Sequence, residues 1–198
     1  MIRIYFGNPG SGKTTLACRN AYKIIKKYKR TKKADYNHIY ANFENKLTKY
    51  SDLVGLGEWT FPPFSYVIVD EAGIQYNNRK FKTLSQSTIQ WFKLHRHYRC
   101  DVDFISQSWE DIDITVRRLA DELWYIKRLG PFTLLRKVYK TVEVDPATHQ
   151  IIDGYKFGKL LPQLLPFPFH RTHFKLFFRK PYYKYFDSYS TPETPVIK

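Results

Sequence analysis

Cysteine is nearly absent: Cys18 and Cys100 are the only two in 198 residues, and they form no CxxC pair. That excludes a disulfide framework and a cysteine-built metal site, and it suits a reducing compartment. Acidic residues are also scarce, 18 against 33 lysines and arginines, for a formal net charge of +15. A field of that sign attracts polyanions, meaning nucleic acid, anionic lipid head groups or nucleotide phosphates. Long apolar runs are missing as well. No stretch approaches the roughly 20 apolar residues that a membrane-spanning helix needs. The first residues enter a strand-like segment with no charged-then-apolar leader. The expectation is a chain without a transmembrane segment, working in a cytoplasm. What is present is enough for a core: 43% of residues are hydrophobic, which excludes wholesale disorder. The length fits one α/β domain with additions.

Alternation over residues 2–6 runs into Gly7 and predicts a first strand ending at a glycine-rich turn. From Lys13 the spacing turns helical, with Ala17, Ala21, Ile24, Ile25 and Tyr28 on one face. The basic run 26–33 reads as a solvated helix end. Residues 38–43 read as a second strand, followed by a long loop containing Gly55, Gly57, Pro62 and Pro63. The continuous apolar run 66–69 marks a strand covered on both faces. A helix carrying Trp91, Leu94 and Tyr98 on one face follows, then strands at 101–105 and 123–126. Strands alternating with helices imply a mostly parallel sheet flanked by helices. After Gly130 the period changes, and residues 134–144 and 150–157 read as an appended β-hairpin joined through 145–148. The expected organisation is a core over 1–130, the hairpin over 131–158 and an aromatic, basic extension over 159–198, within one domain. In that extension Phe167, Phe169, Phe174, Phe177, Phe178, Tyr182, Tyr183 and Tyr185 alternate with Arg171, Lys175, Arg179, Lys180 and Lys184. Such side chains either strap the domain together or sit at a lipid interface.

The chemistry concentrates in Gly7-Asn8-Pro9-Gly10-Ser11-Gly12-Lys13-Thr14, which has the spacing of a phosphate-binding loop. A triphosphate needs its oxygens wrapped by backbone N–H groups, and glycines let the backbone come close enough. The helix begun at Lys13 aims its positive dipole end at the same place. Lys13 is expected to reach the β- and γ-phosphates, the Thr14 hydroxyl to ligate Mg²⁺, and Thr15 to assist near the α-phosphate. Asp70 closes the apolar strand, where its carboxylate can hold Mg²⁺ through a water. Glu71 beside it is suited to take a proton from the attacking water. Asp70-Glu71-Ala72-Gly73 also fits the DxxG of GTPases, but the guanine-reading NKxD is missing. Asn45-Lys46-Leu47-Thr48 lacks the Asp and precedes the acidic pair, so ATP is the expected nucleotide. Gln107, closing the fourth strand, can hydrogen-bond the γ-phosphate. Arg96, Arg99, Arg117 and Arg118 form a dense set, and Arg96, Arg117 and Arg118 are candidates to stabilise transition-state charge in a neighbouring subunit. His95 and His97 lack a third ligand for zinc.

The order of the segments 7–15, Tyr40-Ala41-Asn42-Phe43, Val69-Asp70-Glu71-Ala72, 93–98, Ile105-Ser106-Gln107-Ser108 and 123–128 resembles the zonula occludens toxin-like (Zot) family of filamentous-phage assembly ATPases, related to the FtsK–HerA translocases. The resemblance covers 1–130 with specific motifs and extends to 182–191, which is similar to the segment before that family's membrane helix. It implies an ASCE-type, RecA/FtsK–HerA-like P-loop fold. It also implies an ATP- and Mg²⁺-dependent motor that extrudes or packages single-stranded phage DNA, or its nucleoprotein complex. That motor would act at the cytoplasmic face of the host inner membrane, with membrane assembly proteins as partners and a hexameric ring as its assembly. Two rivals are a P-loop nucleotide or small-molecule kinase and a non-enzymatic DNA- or membrane-binding protein. The paired Asp70 and Glu71 argue against the first, and the intact Lys13, Thr14 and Glu71 against the second.

Overall fold

Along each central strand the side chains alternate between two apolar faces, and this alternation builds the sheet. The computed structural model describes residues 1–33, 35–51, 61–75, 86–144, 151–158 and 173–187. Strands β1 (Ile2–Phe6), β2 (His38–Ala41), β3 (Lys49–Tyr50), β4 (Ser65–Val69), β5 (Asp101–Ser106) and β6 (Glu122–Leu129) pair in parallel in the spatial order β3-β2-β4-β5-β1-β6. Ile2, Ile4, Val67, Val69, Val102 and Phe104 point to one face and pack with Trp91 and Phe92. Tyr5, Tyr66, Ile68 and Ile105 point to the other and pack with Leu16, Ala17 and Ala21. A period of two over a fully buried strand requires apolar residues at both parities, and β4 has them with every residue buried.

Helix α1 (Lys13–Thr31) covers the second face. It is followed by a one-turn α2 (Ala72–Gln75), α3 (Gln86–Leu94) and α4 (Ile114–Leu119). Asp113 caps α4 by accepting a 2.7 Å hydrogen bond from the Thr115 N–H, as N-cap aspartates do. Helix α3 stops at Leu94, short of the expected face: Tyr98 lies in the following turn and is exposed. Arg99 adopts a φ of 52° there, a left-handed conformation that does not continue a helix. The second strand ends at Ala41, and the two-residue β3 was not foreseen.

After β6 the chain reverses through Gly130-Pro131, with Leu129 opposite Phe132. Gly130 takes a φ of 54° and proline fixes its own near −65°, the sign pattern of a two-residue II′ hairpin. The long β7 (Phe132–Val144) then runs antiparallel to β6. Its other edge carries β8 (Ile151–Phe157) along one half and β9 (Phe174–Phe178) along the other. The hairpin therefore continues the main sheet. Strand β9 was not anticipated, and it decides how the described part of the extension packs. Phe177 is buried against the α1 face. A 3₁₀ helix over Lys180–Tyr185 lays Tyr182 and Tyr185 on Tyr22 of α1, at ring separations of 5.9 and 5.7 Å. Residues 174–187 are thus a strap across the domain, although Leu176, Phe178 and Tyr183 remain exposed. Gly55, Gly57, the connection 145–150, Phe167, Phe169, Arg171 and residues 188–191 lie outside the described residues.

Candidate active site

The loop between β1 and α1 is shaped by backbone contacts that only glycine permits. A Cβ on Gly7 would sit 2.2 Å from the Ile126 carbonyl oxygen. Gly10 and Gly12 take φ values of 73° and 95°, which side chains other than glycine adopt at a cost. Ser11 N–H donates back to the Asn8 carbonyl at 3.2 Å, and Leu16 N–H to the Gly12 carbonyl at 2.9 Å. The buried Thr133 hydroxyl donates to the Ser11 carbonyl at 3.0 Å, so the antiparallel extension also braces the loop. Lys13 curls into this turn, donating to the carbonyls of Gly7 (3.0 Å) and Asn8 (3.3 Å). Burial pushes the pKa of its ammonium down, against the pull of Glu71 and Asp70.

Strand β5 lies between β1 and β4, and this order sets the distances across the site. Thr14 Oγ1 donates to Asp70 Oδ2 at 2.6 Å. Asp70 is buried. Burial raises its carboxyl pKa, only partly offset by hydrogen bonds from Thr14 and the Glu71 N–H. A second side chain holds it from behind: Asn42 accepts from the Asp70 N–H at 2.7 Å and donates to its carbonyl at 2.8 Å. Glu71 leaves the strand with a φ of 50°, a costly conformation for a non-glycine residue and one that clusters at functional sites. Its two carboxylate oxygens each accept from Gln107 Nε2 at 3.2 Å. Lys13, Thr14, Asp70, Glu71 and Gln107 thus converge. Gly10, Gly12, Lys13, Thr14, Thr15 and Pro9 line a cleft of about 610 Å³ together with Glu71 and Gln107.

Arg96, Arg117 and Arg118 are not gathered there. Arg96 pairs with Asp121, whose N–H donates to the carbonyl of Ile2, so it sits at the N-terminal edge of the parallel strands, opposite the loop. Arg117 lies over the Trp109 ring at 5.2 Å, and Arg118 lies on the same helix, α4. The arginine lining the cleft is Arg179, at the end of β9. It is 6% exposed and donates to the carbonyls of Gly10 (3.2 Å) and Gly130 (2.7 Å). Sequence reasoning missed it, along with Asn42 and Thr133. Tyr40-Ala41-Asn42-Phe43 was legible as a motif, but nothing in it signalled a partner for Asp70. His95 is buried, with Nδ1 2.6 Å from the Phe92 carbonyl oxygen, and burial pushes its pKa down.

Residues 1–192 match the family described as Zonular occludens toxin (Zot). The chain belongs to the Zot family. Among solved structures, the N-terminal domain of zonular occludens toxin from Neisseria meningitidis is similar at a TM-score of 0.55 and 22% identity, over 78% of this chain and 92% of that one. The genome-packaging NTPase of Sulfolobus turreted icosahedral virus 2 is similar in its complex with sulfate, with a TM-score of 0.51, 12% identity and coverage of 82% and 97%. Its complex with AMP gives 0.50, 13%, 81% and 98%. No curated protein matches the chain. This Zot-family chain has the mixed α/β fold of P-loop NTPases, with a mostly parallel sheet. Among the described residues no helix is long and apolar enough to cross a membrane.

Proposed function

We propose that this Zot-family protein is an ATPase motor for phage assembly that moves single-stranded phage DNA at the cytoplasmic face of the host inner membrane, working as a homo-oligomeric, hexameric ring. The observation that carries the reading is the convergence of Lys13, Thr14, Glu71 and Gln107 on one cleft, with Asp70 bonded to Thr14 beside it. Family membership and the packaging NTPase with the same fold support the motor, and the AMP complex of that NTPase supports the nucleotide.

The donors present fit Mg²⁺: a hydroxyl and a carboxylate 2.6 Å apart at the mouth of the phosphate loop are hard oxygen ligands. Thr14 would hold the ion directly and Asp70 through a water. Bound there, Mg²⁺ supplies neutralisation of the charge spreading over the β- and γ-phosphates. The loop N–H groups and Lys13 hold the phosphates from below. To do so, the Lys13 ammonium exchanges the Gly7 and Asn8 carbonyls for phosphate oxygens. Glu71 takes the proton of the attacking water, with Gln107 holding both of its carboxylate oxygens. Arg96, Arg117 and Arg118 stand as candidates to act in a neighbouring subunit's cleft.

Replacing Lys13 by Ala removes the ammonium that is bonded to the loop. ATP affinity measured by calorimetry should fall at least about tenfold, with turnover falling alongside. Phosphate release by the full chain should rise when single-stranded DNA is added, and a rate indifferent to DNA would remove the motor reading. The +15 charge should also make DNA binding steeply dependent on salt, because each phosphate contact releases counterions. Affinity for single-stranded DNA is expected to drop at least about tenfold between 50 and 200 mM salt. A flat salt profile in fluorescence anisotropy, or preference for anionic vesicles over DNA, would assign the charge to another partner.

A further inference from the structure

The cleft beside the phosphate loop has a second wall that the hydrolytic residues do not need. Arg179, Tyr183, Phe186 and Asp187 of the strap line it, opposite the loop residues. The strap's own geometry explains which rings face where. A 3₁₀ helix has three residues per turn, so side chains at i and i+3 eclipse one another. Tyr182 and Tyr185 form one such pair, and both rest on Tyr22 of α1. Tyr183, one residue further round the helix, and Phe186, the extended residue that follows it, lie on a different side and line the cleft. The helix is held in this rotation at both ends. Arg179 anchors its start to Gly10 and Gly130, and the Tyr185 carbonyl accepts from the Lys46 N–H at 2.9 Å near its finish.

Arg179 ties this wall to the phosphate loop. The residue is 6% exposed, and its Nη1 and Nη2 groups are both engaged by carbonyls, those of Gly10 and Gly130. Its Cδ also lies 2.9 Å from where a Cβ on Gly12 would be, so it bears on the Gly10–Gly12 stretch of the loop. Glu71 and Gln107 mark the other, hydrolytic end. The volume of about 610 Å³ is within the range that holds a whole small-molecule ligand, and exceeds what a phosphate chain alone would fill.

We propose that the strap forms the nucleoside wall of the site: Tyr183 and Phe186 hold the base of a nucleoside triphosphate by its faces, while Arg179 fixes the loop against its phosphates. The inference rests on the nucleotide reading of the phosphate loop. Ring faces recognise that a base is present, through stacking, which distinguishes a nucleoside triphosphate from an inorganic polyphosphate.

Calorimetry on the full chain with Mg-ATP and with Mg-tripolyphosphate tests this. The wild type should bind ATP more tightly than tripolyphosphate. Tyr183→Ala with Phe186→Ala should weaken ATP about tenfold or more and leave tripolyphosphate within about twofold. Tyr183 is 46% exposed, so Tyr183→Ala alone keeps the fold, as a melting curve verifies; it should show part of the loss, and Tyr183→Phe should restore ATP binding. Equal wild-type affinity for the two ligands, or an ATP affinity that survives the double substitution, overturns the nucleoside wall and leaves the phosphate loop standing. Failure of the wild type to bind either ligand overturns the nucleotide reading itself.

Discussion

Glu71→Gln should reduce the turnover of ATP by about 100-fold or more while ATP affinity stays within a few-fold of wild type. Glutamine has the shape of glutamate and can still meet the Gln107 amide, so the geometry around the side chain survives. It cannot take a proton, so water must attack without a base. The position makes the loss specific. Glu71 departs from β4 at a φ of 50°, and Gln107 from the neighbouring β5 contacts both carboxylate oxygens at 3.2 Å. Two strand ends therefore spend conformational freedom to hold one carboxylate. Phosphate release and ATP titration on the same preparation separate this variant from Lys13→Ala, which weakens binding and turnover together. Wild-type turnover in Glu71→Gln would remove Glu71 from the base role and leave Asp70, beside Thr14, and Asp187, on the cleft wall, as the remaining acids among the described residues.

Half of this site is legible in the sequence alone, because its residues fall in contiguous segments. The loop 7–14 carries its own spacing, and the next residue pair, Asp70-Glu71, is announced by an apolar run that only a doubly covered strand explains. Gln107 was reachable because it directly follows β5, two residues after the apolar Phe104-Ile105. The strap was not legible, for a reason of distance. Arg179 meets Gly10 across 169 residues of chain, and in the sequence it looks like Lys175, Lys180 or Lys184: a base among rings. What singles it out is the pairing of β9 with the first half of β7, from Phe132–Phe178 to Arg136–Phe174, and no local pattern encodes that register. The arginines of 96–118 show the complementary limit. Their residue type suits a transition state, but type carries no address, and Arg96 is taken up by Asp121 at the far edge of the sheet. The helix at 86–94 was overextended because Tyr98 continues the apolar spacing beyond the point where Arg99 turns the backbone left-handed.

Beneath the site, Asp103→Ala should cost about 3–5 kcal/mol of stability, a large share of the roughly 5–15 kcal/mol that holds a domain. Asp103 is fully buried in the centre of β5. It accepts from Arg3 Nε at 2.5 Å, from Asn20 Nδ2 at 3.0 Å and from the Tyr66 hydroxyl. Those donors come from β1, from α1 and from β4, so one carboxylate ties together the elements that carry the phosphate loop and the acidic pair. Burial works most strongly against the Arg3 charge, but Asp103, Tyr66 and Tyr5 together raise the guanidinium pKa above its ordinary value. Burial, and then the Asp103 charge, hold the Tyr66 hydroxyl protonated as a donor well beyond the usual tyrosine range. Alanine would leave Arg3 with its longer contact to Asp101, at 3.3 Å, and would take from the Tyr66 hydroxyl and the Asn20 amide the carboxylate that accepts from both. Asn in place of Asp103 keeps the shape and one acceptor and should fall between alanine and wild type. Arg3→Met combined with Asp103→Leu should recover part of the loss, because removing both charges also removes their desolvation cost. Denaturant melts of the four proteins decide it. A double variant less stable than Asp103→Ala would mean that the Tyr66 and Asn20 donors, and not the Arg3 charge, depend most on this carboxylate.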